Sequence, residues 1–227
     1  MDSRMLADSY RGARDRIGAL AVDLSAEQLR LPVPATPAWS VHDVLARLAG
    51  GAADVLAQRL DGVPGDAWTA RHVAERRGRP VADLLAEWAN ASPAAEATLP
   101  ERFTGPNLAA DAICHEGDLH EALGLARPDR EHWQPFLDVL GHLPGRRLGD
   151  TATLVVTDER GQQWRCGTGE SVTEVRADCY ELLRGLFSRR SRRQIAGWDW
   201  SPAPAAHLVD GFGVFGPRDD DQPVPDR

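Results

Sequence analysis

Apolar residues recur at helical spacing from about Ser3 to Leu24, where Leu6, Tyr10, Ile17, Leu20, Ala21 and Leu24 predict a first helix. A Pro-rich link, LPVPATPAW, follows. Ser40 then stands as an N-cap with Asp43 three residues on, where a carboxylate suits the helix dipole. Val41, Val44, Leu45, Leu48, Val55, Leu56 and Leu60 form one face of a second helix, and Gly50–Gly51 inside it allow close packing or a local bend. Val63 to Arg79 reads as a looser connection with room for a short helix. Pro80 opens a third helix carrying Val81, Leu84, Leu85 and Trp88, and a fourth runs from about Asn107 to Leu123, ending near Gly124. Four such helices fit an antiparallel bundle.

The pattern changes after Pro128. A helix with Trp133, Phe136, Leu137 and Leu140 leads into TATLVVTD, which alternates like a strand; ERGQ reads as a turn and QQWRCG as the returning strand. SVTEVRA is a third strand, Asp178 and Glu181 resemble a capping box for CYELLRGLF, and a last helix spans Ala205 to Phe215. The fold class is therefore α + α/β. Residues 1–127 form a four-helix bundle, residues 128–216 a small α/β domain, and the charged, Pro-rich residues 217–227 a disordered tail.

Composition narrows the function. The 227-residue chain has a net charge of −8, and all 26 basic residues are arginine. The acidic balance argues against nucleic-acid binding and against docking on anionic membranes, and suits a protein that handles small molecules. No signal peptide or membrane-length apolar run is legible. Cys114, Cys166 and Cys179 lack metal-ligand spacing and read as free thiols in a reducing, cytoplasmic setting.

The segment DAICHEGDLHEALG holds the strongest chemical signal. Asp111 and His115 are four residues apart on one helix face, which also carries the apolar stripe, and Asp118 lies near that face. A polar pair turned into a bundle needs hydrogen bonds, a charged partner or a metal. Both a site and a buried structural histidine fit that pattern. His115, Glu116 and His120 mimic a zinc-protease motif, but the five-residue spacing turns His120 about 140° away.

WSVHDVLARLAG (Trp39 to Gly50), DAICHEGDLHEALG and ADCYELLRGLFSRRSRRQIAGWDW together resemble, in order, three signatures of the mycothiol-dependent maleylpyruvate isomerase family. The resemblance implies a DinB-like bundle followed by a sterol-carrier-like domain. It also implies a divalent metal, typically zinc, held by one histidine of the second helix and by an acid and a histidine of the later helix. The metal would activate the thiol of mycothiol for addition to an electrophilic substrate. By position the acid is Asp111 and the later histidine is His115, but the first histidine position is Arg47.

Arginine has no lone pair for zinc, so Asp111 and His115 would be left as a weak two-ligand site. His42, five residues away, faces elsewhere and is expected to be exposed or to cap the helix start. A metal-free Arg47–Asp111–His115 cluster is the alternative, with Arg47 gripping Asp111 in a bidentate pair and His115 as general acid/base. A structural ion pair left from an ancestral metal site fits equally.

Asp118, Arg189 and Trp39 are candidate substrate contacts. Arg189 stands where the family's Gly-Arg arginine stands, with Ser188 in place of the glycine; the surrounding SRRSRR also reads as a solvated charged face. Trp198 and Trp200 flank Asp199 and are candidates for lining a cleft between the domains. Cys179 sits at a predicted helix N-terminus, where a thiol gains reactivity, though a packed structural cysteine fits as well. Two functions remain in view: a small-molecule isomerase, lyase, cyclase or thiol transferase, and a non-catalytic ligand-binding or regulatory protein on the same scaffold.

Overall fold

The computed structural model describes residues 1–103, 107–144 and 148–226. The chain divides into two compact units, Met1–His132 with the chain end from Pro225, and Trp133–Val224. Among the described residues no helix is long and apolar enough to cross a membrane.

In the first unit, α1 (Ser3–Val22) starts at Asp2, whose carboxylate accepts from the Met5 N–H at 2.9 Å. It buries Leu6, Tyr10, Ala13, Ile17 and Ala21. The Pro-rich link is more ordered than its composition suggests. A turn at Gln28–Arg30 leads into an antiparallel ribbon of β1 (Pro32–Val33) and β2 (Thr36–Ser40). Each strand has one neighbour, so an outward edge needs no N–H and proline is tolerated there.

Helix α2 (Val41–Leu56) begins with a capping box, Ser40 Oγ accepting from Asp43 N–H and Asp43 accepting from Ser40 N–H. It is continuous through Gly50–Gly51 and buried nearly all round. Besides its apolar residues it buries Arg47 and Asp54. Leu56 and Leu60, expected on its apolar face, are exposed: the helix stops at Leu56 and Gln58 turns the chain at φ 57°.

The stretch expected to be loose contains an eleven-residue helix, α3 (Asp66–Arg76), which buries Trp68, His72, Val73 and Arg76. Helix α4 (Val81–Ala97) buries Leu84, Trp88, Ala91, Ser92 and Ala95. Helix α5 (Leu108–Leu123) is capped by Asn107 and closed by Gly124 in the left-handed conformation at φ 65°. Helix α2 packs against α3, α4 and α5, and α1 against α4 and α5.

Directional contacts fix this packing. Trp88 Nε1 donates to Tyr10 Oη at 2.7 Å, joining α4 to α1. Arg16 grips Glu116 at 2.6 and 2.7 Å, joining α1 to α5, and Arg76 grips Glu87 at 2.9 and 2.7 Å, joining α3 to α4. The α2–α3 contact is close: a Cβ on Gly50 would stand 2.5 Å from His72 Cβ. There His72 Nε2 donates to the fully buried Asp54 at 2.9 Å, and Arg71 and Arg59 also meet that carboxylate. Burial alone would raise the Asp54 pKa, but His72, Arg71 and Arg59 together hold it below the usual carboxylate value. His72 is pushed down, chiefly by burial, against the opposing pull of Asp54.

In the second unit, entered along α6 (Arg130–Leu140), a four-stranded sheet has the order β4-β3-β5-β6. Strand β3 (Thr153–Thr157) pairs antiparallel with β4 (Gln163–Cys166), matching Leu154 with Cys166 and Val156 with Trp164, and parallel with β5 (Val172–Arg176). Strand β6 (Asp199–Ser201) pairs antiparallel with β5; at three residues it is too short to show a period in sequence. Leu154, Val156, Trp164, Cys166 and Val175 are buried.

Helix α7 (Cys179–Leu186) starts at Asp178, which accepts from Tyr180 and Glu181 N–H. Glu181 does not complete the expected capping box in this structure; it accepts from Arg190 at 2.6 and 2.8 Å. SRRSRR is accordingly not a uniform solvated face: Arg190 is fully buried, and Ser191 caps α8 (Arg192–Ala196) with Gln194. The last helix, α9 (Ala206–Asp210), is shorter than expected because Gly211 caps it and Gly213 and Gly216 adopt positive φ. Within the segment expected to be disordered, Arg218 to Gln222 run back along α8. Arg218 exchanges backbone hydrogen bonds with Arg190 and Arg192, and the Gln194 amide donates to the Gln222 carbonyl at 2.8 Å. Its Pro and Asp content gave no sign of these contacts.

Two consequences are testable. Alanine at an open helix position normally stabilises by about 1 kcal/mol over glycine. Gly50→Ala should instead lower stability by roughly 1–3 kcal/mol, because the new methyl meets the base of His72 and the helices must separate; denaturant unfolding measures the sign. The depressed His72 pKa means that the unfolded chain binds a proton which the folded chain resists. Stability should therefore fall as pH drops below the ordinary histidine value, and His72→Gln should remove that part of the slope in unfolding measured from pH 8 to pH 5.

Candidate functional site

The cluster expected from sequence is assembled by α2 and α5 of the first unit. Arg47 is 6% exposed on α2, and His115 is 4% exposed on α5. Asp111 lies one turn before His115 and is about a quarter exposed. Arg47 Nη2 reaches both Asp111 oxygens, 3.4 Å from Oδ1 and 3.2 Å from Oδ2. This is not the two-nitrogen fork expected. One nitrogen faces the carboxylate, because the guanidinium lies over the Trp68 ring, its carbon 4.9 Å from the ring centroid.

His115 is oriented by a residue other than the one expected. Its Nδ1 hydrogen-bonds the Asp118 carboxylate at 2.9 Å, and Asp118 is fully buried. Asp111 Oδ1 stands 3.6 Å from His115 Nε2, beyond a hydrogen bond. Asp118, a candidate substrate contact by sequence, thus holds the imidazole. With Nδ1–H given to Asp118, the Nε2 lone pair points toward Asp111. The i, i+3 spacing of His115 and Asp118 is the sequence signal for this pair. Trp39, on β2, places its ring 6.2 Å from the His115 ring.

A second layer escaped sequence reading. Trp68 meets His72 edge-on, with centroids 4.2 Å apart, and His72 is bonded to Asp54. Trp68, His72 and Arg76 recur every four residues, a spacing that identifies a buried helix face. The glycines and prolines flanking the stretch masked it.

The remaining candidates fall elsewhere. His42 Nε2 donates to the Arg79 carbonyl at 2.8 Å, tying the start of α2 to the chain before α4. His120 Nδ1 donates to the Ala126 carbonyl, away from His115. In the second unit Arg189 is half-buried and donates to the Phe187 carbonyl at 3.1 Å. Ser188, standing where the resemblance puts glycine, takes a left-handed φ of 61°, and its Oγ accepts from Phe215 N–H. Trp198 and Trp200 both meet Phe212 edge-on. Cys179 is buried and its thiol donates to Glu159, which also accepts from the Cys179 N–H.

Among the described residues no group of three or more His, Cys, Asp or Glu is placed to hold a metal ion. At this cluster the donors are Asp111 and His115, and a permanent cation already lies against Asp111.

The protein-family profile described as the mycothiol maleylpyruvate isomerase N-terminal domain matches residues 10–153, well over half of the chain. No curated protein matches it by sequence. Among solved structures, a mycothiol-dependent maleylpyruvate isomerase superposes with a TM-score of 0.57 at 11% identity, covering 90% of this chain and 95% of that one. A histidine-to-alanine mutant of the mycothiol-dependent maleylpyruvate isomerase superposes with a TM-score of 0.56 over the same shares, also at 11% identity. That likeness shows a common fold of helices and a small sheet. By the profile match, this chain belongs to the mycothiol maleylpyruvate isomerase family.

Proposed function

We propose that this protein is a small-molecule enzyme of the isomerase or thiol-transferase type whose site works with Arg47, Asp111 and His115 and without a metal at that position. The architecture belongs to the same reading: a DinB-like four-helix bundle over residues 1–127 and a sterol-carrier-like domain over residues 128–216. Family membership and the packing of α3, α4 and α5 against α2 support it.

One observation carries the chemistry. A buried imidazole is fixed through Nδ1 by a buried carboxylate, and its Nε2 is directed at an acid already paired with a guanidinium. Such an imidazole can take and return a proton at Nε2. Arg47 can stabilise negative charge developing beside it, as an enolate does. Asp111 keeps that guanidinium in place. Zinc does not fit this donor set, because the third ligand position carries a group with no lone pair and a full positive charge. Mycothiol, when bound, would supply a thiol nucleophile, and His115 Nε2 is the group suited to accept the thiol proton. Trp39 and Arg189 are further proposed contacts to substrate.

Purified wild-type protein should hold well under one zinc per chain after dialysis, by elemental mass spectrometry. Arg47→His restores the third donor and should bind close to one. Stoichiometric zinc in the wild type, lost on changing Asp111 or His115, would defeat the metal-free reading. In a mycothiol-dependent isomerisation assay, His115→Gln should lower kcat by about 100-fold or more and Asp118→Asn by less, the ordinary range for losing general acid/base catalysis. Ligand binding that depends on Arg47, with no turnover in any form of the protein, would favour a binding protein instead.

A further inference from the structure

We propose that Arg47 is clamped at Asp111 by Trp68 and by the bare backbone of Gly51, and that the buried Asp54–His72 pair supports Trp68. Trp68, Gly51, His72 and Asp54 are then positioning residues of the site. The inference rests on Arg47 being a functional group there.

Arg47 is a long side chain with little to hold its tip. Only Nη2 meets Asp111, and Nη1 is buried with no hydrogen-bond partner. Four free torsions are not frozen by one such contact, so packing must do it. On one side the guanidinium lies over the Trp68 ring at 4.9 Å. On the other it folds back along its own helix: a Cβ on Gly51 would stand 2.7 Å from Nη1, so any side chain at 51 would displace it.

Trp68 is itself fixed from two directions that both lead to Asp54. Its Nε1 donates to the Arg59 carbonyl at 3.3 Å, and the Arg59 guanidinium meets Asp54 at 2.6 Å. The His72 ring packs edge-on to the indole, and His72 Nε2 is bonded to Asp54 at 2.9 Å. Gly50 leaves the room that His72 occupies. Asp54 and His72 are both fully buried, so neither can touch a substrate, and their influence must pass through Trp68. The Gly50–Gly51 pair thus seats two side chains from two directions, His72 from α3 and Arg47 from α2.

Phenylglyoxal labelling of the whole protein, read by peptide mass spectrometry, tests this. Arg16, paired with Glu116, serves as the internal reference. Arg47 should label slowly in the wild type. Trp68→Leu should raise its rate at least tenfold relative to Arg16, and Trp68→Phe, which keeps an aromatic face, should return it close to wild type. Gly51→Ala should raise it as well, while the helix gains intrinsic stability. His72→Gln should give a smaller rise. An unchanged Arg47 rate in folded Trp68→Leu, or in Gly51→Ala, overturns the proposal; should Trp68→Leu not fold, Gly51→Ala decides alone. Labelling reads the position of Arg47 and not turnover, so a working clamp in a protein without activity would refute only the enzymatic role.

Discussion

The constraint on which the first unit depends is the burial of charge on its central helix. Helix α2 has neighbours on every side, yet it carries Arg47 and Asp54 inward. An ionised group removed from water must be met by opposite charge and hydrogen bonds or it destabilises the fold by several kcal/mol, on the order of 3–5 when one partner of a buried pair is lost. The flanking helices answer each charge separately. Helix α3 brings His72 and Arg71 to Asp54, and α5 brings Asp111 to Arg47. The positions of α3 and α5 around α2 are therefore set by polar matching as well as by apolar area.

That matching gives the departure at position 47 its meaning. A divalent ion and a guanidinium both place positive charge against Asp111, but they impose different geometry. A metal draws its ligands inward at about 2 Å and leaves a coordination site for a reactant. A guanidinium stands off at hydrogen-bond distance, is planar, and presents only donors. On the proposed reading, Arg47 keeps the electrostatic sense of the site without a metal's Lewis acidity. The proposed proton-handling group is His115, and the structure gives it an orienting acid, Asp118, on its own helix.

Sequence made much of this legible. The capping residues Ser40 and Asp178, the two hairpin strands and the inward face of α5 follow from local rules, and the structure contains them. The pairing of Arg47 with Asp111 followed from a resemblance that placed both at one site. Three features did not follow. The length and buried face of helix α3 were hidden by its Gly- and Pro-rich flanks, although Trp68, His72 and Arg76 repeat every four positions. Asp118 was visible, but spacing alone could not decide whether it faced a substrate or the histidine one turn away. The contacts of Arg218 and Gln222 with α8 and the residues just before it are tertiary, and composition is blind to them.

The glycines at 50 and 51 show why position 47 cannot be understood alone. A histidine there is short and would need neither the Trp68 face nor an empty Gly51. Arginine reaches further, and its extra length has to lie somewhere. It lies over Gly51 and beneath Trp68, whose helix is drawn in by Gly50 and His72. Filling either glycine, or loosening α3, would return the guanidinium to the choice of rotamers that its length allows, and Asp111 would lose its partner. The arginine and the close α2–α3 contact are thus one arrangement, in which a backbone approach on one helix decides where a charge stands on the other side of it.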